Sequence, residues 1–418
     1  MTVLALSAVL AVGACSPSST ATPGATATSG ATQTATPSPT PSDPGAAVYS
    51  AIETQVRELR GLPAKTSVPR SVIDRDAAIA RITADFDRTE PAAALATRAR
   101  LLQQLGLLPA GASLRDLYLS LVGSQILGFY DPEAKSMYVV SSAAAPGPLE
   151  KATYAHEYTH ALQDQSFDLE KLLGEFVLSD ESLANLSLIE GDATLLMTLW
   201  MTKHLTADEL SQAAAEGSSS PQTAVLNAAP AVLRETLLFP YSKGASFVND
   251  LWRSGGWKAV DAIYANPPTS TAQIIHPELY TSGWKPATVT MPPTLASELG
   301  SGWKIALEET VGEATTATWL EANGVTSAEA TTAAAGWRGD RIVLLEGPSN
   351  AVAVAWVSDW TTATDASELV TAAEKVVGSG KLPGFVMQPT TTQTLIVLSS
   401  DRPTIAKIAA PFGLMPSW

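Results

Sequence analysis

The chain has 418 residues, a formal net charge of −15, 45% hydrophobic and 16% charged residues, and one cysteine. That length has room for one large core and a second, smaller one. The acidic balance argues against nucleic acid and anionic lipid surfaces as electrostatic partners, and a single cysteine excludes an intramolecular disulfide.

Residues Val3–Ala14 form an apolar run that closes on Val12-Gly13-Ala14-Cys15. It is shorter than the about 20 residues a permanent membrane span needs, and it looks like a bacterial lipobox with small residues ahead of the cysteine. The basic residue that usually precedes such a run is missing. Residues 1–15 are read as a lipoprotein signal whose Cys15 carries lipid. That anchors the chain in the cell membrane on its extracytoplasmic face. Residues 16–45 are dominated by Ser, Thr, Ala, Pro and Gly, which cannot bury enough apolar surface to offset the entropy of ordering. They are read as a disordered stalk.

Order is expected from Ala47, where Val48, Ile52, Val56 and Leu59 recur at helical spacing. An extended piece follows at Ser67–Ile73, then helices over Asp76–Phe86, Ala93–Leu105 and Leu114–Leu121. Gln125–Tyr130 and Met137–Val140 are β-prone runs on either side of Asp131-Pro132-Glu133-Ala134-Lys135, a pattern that predicts a hairpin.

The next helix, Pro148–Asp164, carries His156-Glu157-Tyr158-Thr159-His160. Residues four apart on a helix share a face, so His156 and His160 can reach one Zn²⁺, and Glu157 beside them can take a proton from a water. The chain has only 4 His, and two of them are here. Catalytic zinc takes three protein ligands, and the scarcity of histidine favours a carboxylate as the third. Glu190, in Leu188-Ile189-Glu190-Gly191-Asp192-Ala193, is set among apolar residues where a charge needs a partner. Gly191 and Ala193 leave room for two helices to approach. Glu181 is the alternative, in a polar helix start where an acid serves the helix dipole. His204 ends an apolar helix and is read as structural.

Further helices are expected at Ala231–Leu237, Ser246–Ser254 and Trp257–Ala265. Beyond residue 298 the pattern changes. Arg341–Leu345, Ala351–Val357 and Gln393–Leu398 read as strands, and Ala366–Val377 and Pro403–Ala409 as helices. The tryptophans, Trp337 and Trp356 among them, read as core residues.

His156–Gln165 (HEYTHALQDQ), followed by Glu190-Gly191-Asp192-Ala193, resembles bacterial zinc metallopeptidases of the gluzincin type. The likeness is to a bacterial lipoprotein family with an HEYTHALQDQ-like helix and an EGDA segment. Gly128-Phe129-Tyr130-Asp131-Pro132, Pro240-Tyr241 with Gly244 and Phe247, and Pro267–Thr271 leading to His276-Pro277-Glu278 extend it over about Glu53–Tyr280. The resemblance implies Zn²⁺ held by His156, His160 and Glu190, with Glu157 as general base. It departs from the commoner pattern at Thr194, where an aspartate would orient a histidine; Asp192 or Asp164 could do so instead. His276 or Tyr241 could donate to the oxyanion of the tetrahedral intermediate.

The fold class is α+β: a mostly helical zincin-like catalytic domain over 46–298 with a substrate-binding β-hairpin, and a small α+β module over 299–418. The expected function is zinc-dependent hydrolysis of peptides or proteins at the membrane surface, without nucleic acid. The alternatives are a non-catalytic, zinc-stabilised surface binding protein and a zinc hydrolase acting on cell-wall amides.

Overall fold

The computed structural model describes residues 45–140, 145–173, 179–218, 221–377 and 382–416. Cys15, the lipobox and the stalk up to residue 44 lie outside these residues. Helix α1 (Ala46–Arg60) buries Tyr49, Ile52, Val56 and Arg60, one stripe at helical spacing, and stops at Gly61, whose φ of 76° suits glycine. Strand β1 (Arg70–Ile73) precedes α2 (Arg75–Thr89), which Asp74 caps by accepting from the Ala77 N–H. After α3 (Ala92–Gln104), α4 (Leu114–Gln125) runs further than expected and turns extended only at Ile126.

The first hairpin strand therefore begins at Gly128 rather than Gln125. Strands β2 (Gly128–Asp131) and β3 (Ser136–Val140) pair antiparallel, with Phe129 opposite Tyr138, and β1 joins β3 in parallel. The expected hairpin is thus part of a sheet ordered β1-β3-β2. Its turn is fixed by the Asp131 carboxylate, which accepts from the Glu133 and Ala134 N–H groups.

Helix α5 (Pro148–Phe167) has Gly147 before it and proline at its first position, and ends at Asp168 in left-handed backbone, φ 57°. Every residue from Ala152 to Asp164 is buried. A helix enclosed on all sides has no amphipathic pattern to show. Helix α6 (Leu169–Leu173) leads to α7 (Asp180–His204), capped by the Ser179 hydroxyl. Next come α8 (Ala207–Ser218), α9 (Pro221–Ala228) and α10 (Ala231–Phe239). Pro240 has no N–H to continue the ladder, and Pro240–Gly244 forms a π-helical turn into α11 (Ala245–Ile263). Within α11, Gly255 and Gly256 leave helical backbone, Gly256 at φ 64°, and so divide the two helices expected there. Short helices α12 (Thr271–Ile275), α13 (Pro277–Thr281) and α14 (Leu295–Leu299) follow.

The remaining elements are β4 (Lys304–Glu309), α15 (Gly312–Ala322), α16 (Ser327–Ala334), β5 (Trp337–Glu346), β6 (Val352–Trp360), α17 (Ala363–Val377), β7 (Gly384–Thr390), β8 (Gln393–Leu398) and α18 (Arg402–Ala409). The sheet they form is ordered β4-β5-β6-β8-β7, with every pair antiparallel. Its inner strands alternate by face. Ile342, Leu344, Val354 and Trp356 share a core with Leu95, Leu101 and Leu105 of α3 and its exit, whereas Val343, Leu345, Ala355 and Val357 pack against Ile405 and Ile408. The Trp319 Nε1–H donates to the Leu105 carbonyl at 3.1 Å, joining the sheet's helices to α3. Strands β4 and β7 escaped sequence reading because they are edges. β4 is largely exposed and β7 contains Pro389, and both traits belong to edge strands. The molecule is α+β. Among the described residues, no helix is long and apolar enough to cross a membrane.

Candidate metal centre

Helices α5 and α7 pack against each other and bring His156, His160 and Glu190 to one point. His156 Nε2 stands 3.1 Å from both His160 Nε2 and Glu190 Oε2, and His160 Nε2 stands 3.4 Å from that same oxygen. Donor atoms at tetrahedral angles and about 2.0–2.1 Å from a common centre lie about 3.3 Å apart. The three measured sides bracket that spacing, so the residues fit a metal ion. All three are buried, at 1–2% exposure. Glu181, the alternative ligand, is exposed in the first turn of α7.

Burial disfavours both charged forms here, yet proximity outweighs it. Glu190 raises His160 to about 9, and the two imidazoles hold Glu190 down at about 2.

Glu157 is 1% exposed and accepts from the Tyr130 main-chain N–H at 3.0 Å. Tyr130 lies in β2, the strand at the sheet edge, so the outward-facing main chain of that edge meets the carboxylate beside the cluster.

Tyr241 sits in the π-helical turn. Its ring lies 5.9 Å from that of His156, and burial, with the Glu190 and Glu157 carboxylates nearby, pushes its pKa well above the ordinary value. The tyrosine named as an oxyanion donor thus lies beside a ligand of the cluster. The turn reaches α7 because Gly191 and Gly244 face one another. A side chain on Gly191 would collide with the Gly244 carbonyl, and one on Gly244 with that of Ser187. Gly191 thus makes room for the π-helical turn. Turns of this kind recur at functional sites.

The two acids named as supports do other work. Asp192 accepts from Arg60 at 2.8 and 2.9 Å and from the Tyr264 hydroxyl at 2.8 Å. Asp164 accepts from the Tyr130 hydroxyl and from Lys135, each at 2.7 Å. Gln163 instead bonds His160, its Oε1 standing 2.8 Å from Nδ1, and its Nε2 donates to the Ile189 carbonyl at 3.0 Å. Sequence reading missed Gln163. The available signal was its place three residues beyond His160, on the same helix face. Among the described residues, His156 Nδ1 and the Thr194 hydroxyl have no partner.

Among the described residues, His276 is not one of the clustered ligands. It lies between α12 and α13, and its Nε2 stands 2.8 Å from Glu313 of α15. The groups acting on its charge are Glu313, Glu278 and Lys243. The contact with Glu313 is a bridge that fastens α12–α13 to α15. His204 stacks on Trp200, and burial lowers its pKa.

The Glu313 contact, opposed by burial, raises His276 above 6.5. A raised histidine stabilises the fold fully below its unfolded value and loses that contribution as pH rises through the folded value. The urea midpoint of the parent is therefore expected to fall as pH rises from 6.5, and His276→Gln should flatten that part of the profile. Identical slopes in the two proteins would rule out the bridge as a source of pH dependence.

Residues 304–401 match a family described as a domain of unknown function, DUF8575. That stretch holds the sheet β4-β5-β6-β8-β7 and none of the cluster residues. No curated protein matches the chain. A crystal structure from Chloroflexus aurantiacus, described as a candidate hydrolase with a novel fold, is similar over 57% of this chain and 88% of that one, at 17% identity and a TM-score of 0.35. A score that low fixes neither fold nor activity.

Proposed function

We propose that the chain is a zinc-dependent peptidase of gluzincin type, held by lipid on Cys15 at the extracytoplasmic face of the membrane and acting on peptides or proteins. The observation that carries this reading is the convergence of His156, His160 and Glu190 within 3.4 Å of one another, with Glu157 next to the first ligand. Two imidazoles and one carboxylate form a donor set suited to zinc. Zinc held there would polarise a carbonyl and acidify a water. Glu157 takes the water's proton as the oxygen bonds to the carbonyl carbon, then passes it to the amide nitrogen as the C–N bond breaks. The Tyr130 N–H keeps Glu157 facing the cluster. The edge of β2 is the strand against which an extended substrate would pair.

The near-complete burial of these four side chains favours a second reading, a zinc-stabilised binding protein without turnover. Metal analysis and cleavage assays separate the two. On the peptidase reading, the purified chain carries about one zinc per molecule, cleaves unfolded protein, loses that activity to a chelator and regains it with zinc. Zinc without cleavage supports the binding protein. A chain that takes up no zinc on titration removes both.

A further inference from the structure

Resting on the metal reading, we propose that Gln163 is a positioning residue that fixes which nitrogen of His160 faces the metal. The argument starts from the Ile189 carbonyl, which can only accept a hydrogen bond. The Gln163 side-chain atom 3.0 Å from it must therefore be the NH₂ group, which settles the orientation of an amide that is otherwise ambiguous. The amide oxygen then lies 2.8 Å from His160 Nδ1. Because that oxygen can only accept, Nδ1 must carry a proton. The nitrogen left to ligate, once a metal displaces its proton, is thereby Nε2, the atom 3.1 Å from His156 Nε2 and 3.4 Å from Glu190 Oε2.

The relay also joins the two halves of the site. Gln163 is on α5, three residues after the ligand it orients, and Ile189 is on α7, one residue before Glu190. Gln163 is 0% exposed, so water does not compete for either bond. One amide thus sets the orientation of one ligand and ties it to the helix that supplies another.

Two variants distinguish orientation from space-filling. Gln163→Met keeps an unbranched chain of similar size and removes both hydrogen bonds. Gln163→Glu keeps an acceptor for the Nδ1 proton but places a charge beside the Ile189 carbonyl. A residue that merely fills space would tolerate Met and suffer from Glu. The positioning role gives the reverse order in Zn²⁺ affinity, measured by competition with a chromophoric chelator. Gln163→Met should bind about 10–100-fold more weakly than the parent, and Gln163→Glu more tightly than Gln163→Met. If Gln163→Met binds zinc as tightly as the parent, the inference is overturned while the metal reading stands. A parent that binds no zinc removes both. Should Gln163→Met fail to fold, ¹⁵N NMR of the zinc-loaded parent decides. A proton on His160 Nδ1 supports the relay, and a bare Nδ1 overturns it.

Discussion

Replacing Glu157 with Gln is expected to leave zinc bound and to slow peptide cleavage by about 10²–10⁴-fold, the usual contribution of a positioned general base. The three metal-site donors belong to other residues, and an amide oxygen at this position can still accept from the Tyr130 N–H, so the fold and the site should persist. What disappears is a group able to hold a proton between the attack on the carbonyl and the departure of the amine. The test pairs zinc content with kcat for a peptide substrate. Full zinc occupancy together with unchanged kcat would remove Glu157 from the chemistry. Loss of both would show that it supports the site rather than the reaction.

The second large effect is on stability. Asp192→Ala should lower the unfolding free energy by about 3–5 kcal/mol, the range for removing one partner of a buried ion pair. Arg60 and Asp192 are both 0% exposed, and Arg60 also contacts Asp261 at 2.7 Å and lies over the Trp257 ring at 4.4 Å. Taking away Asp192 leaves the guanidinium with Asp261, whose side chain is 38% exposed, and leaves the Tyr264 hydroxyl without its acceptor. Replacing both charges, as Arg60→Met with Asp192→Leu, should recover much of the loss, because well-packed apolar groups often substitute for buried pairs. Urea denaturation of the two variants provides the measurement. A loss below about 1 kcal/mol in Asp192→Ala, within the range of an exposed pair, would mean that Asp261 and Trp257 satisfy Arg60 unaided.

Both outcomes concern residues of the same two motifs, and the motifs differ in how far they could be read. Glu157 was legible because its neighbours His156 and His160 are one helical turn apart, and that spacing survives whatever the helix packs against. Glu190 was legible from the apolar residues around it, since a buried carboxylate must have a partner. Asp192 was read as a possible support for a metal ligand, yet its partner Arg60 is 132 residues away, at the end of α1. No local pattern shows that the end of α1 meets α7. His276 presents the same difficulty, with its bond to Glu313 spanning 37 residues.

Sequence alone determined the helix of α5, the shared face of its two histidines, the burial of Glu190 and the strands β5 and β6. Each of these follows from periodicity or composition within a few turns of chain. Only the tertiary structure decided that β1 joins the hairpin, that Gly191 faces Gly244, that Tyr241 stacks beside His156 and that Gln163 bonds His160. Those pairings depend on how separate elements dock, and docking is set by shape and by the need to satisfy buried polar groups across distances that local spacing does not record.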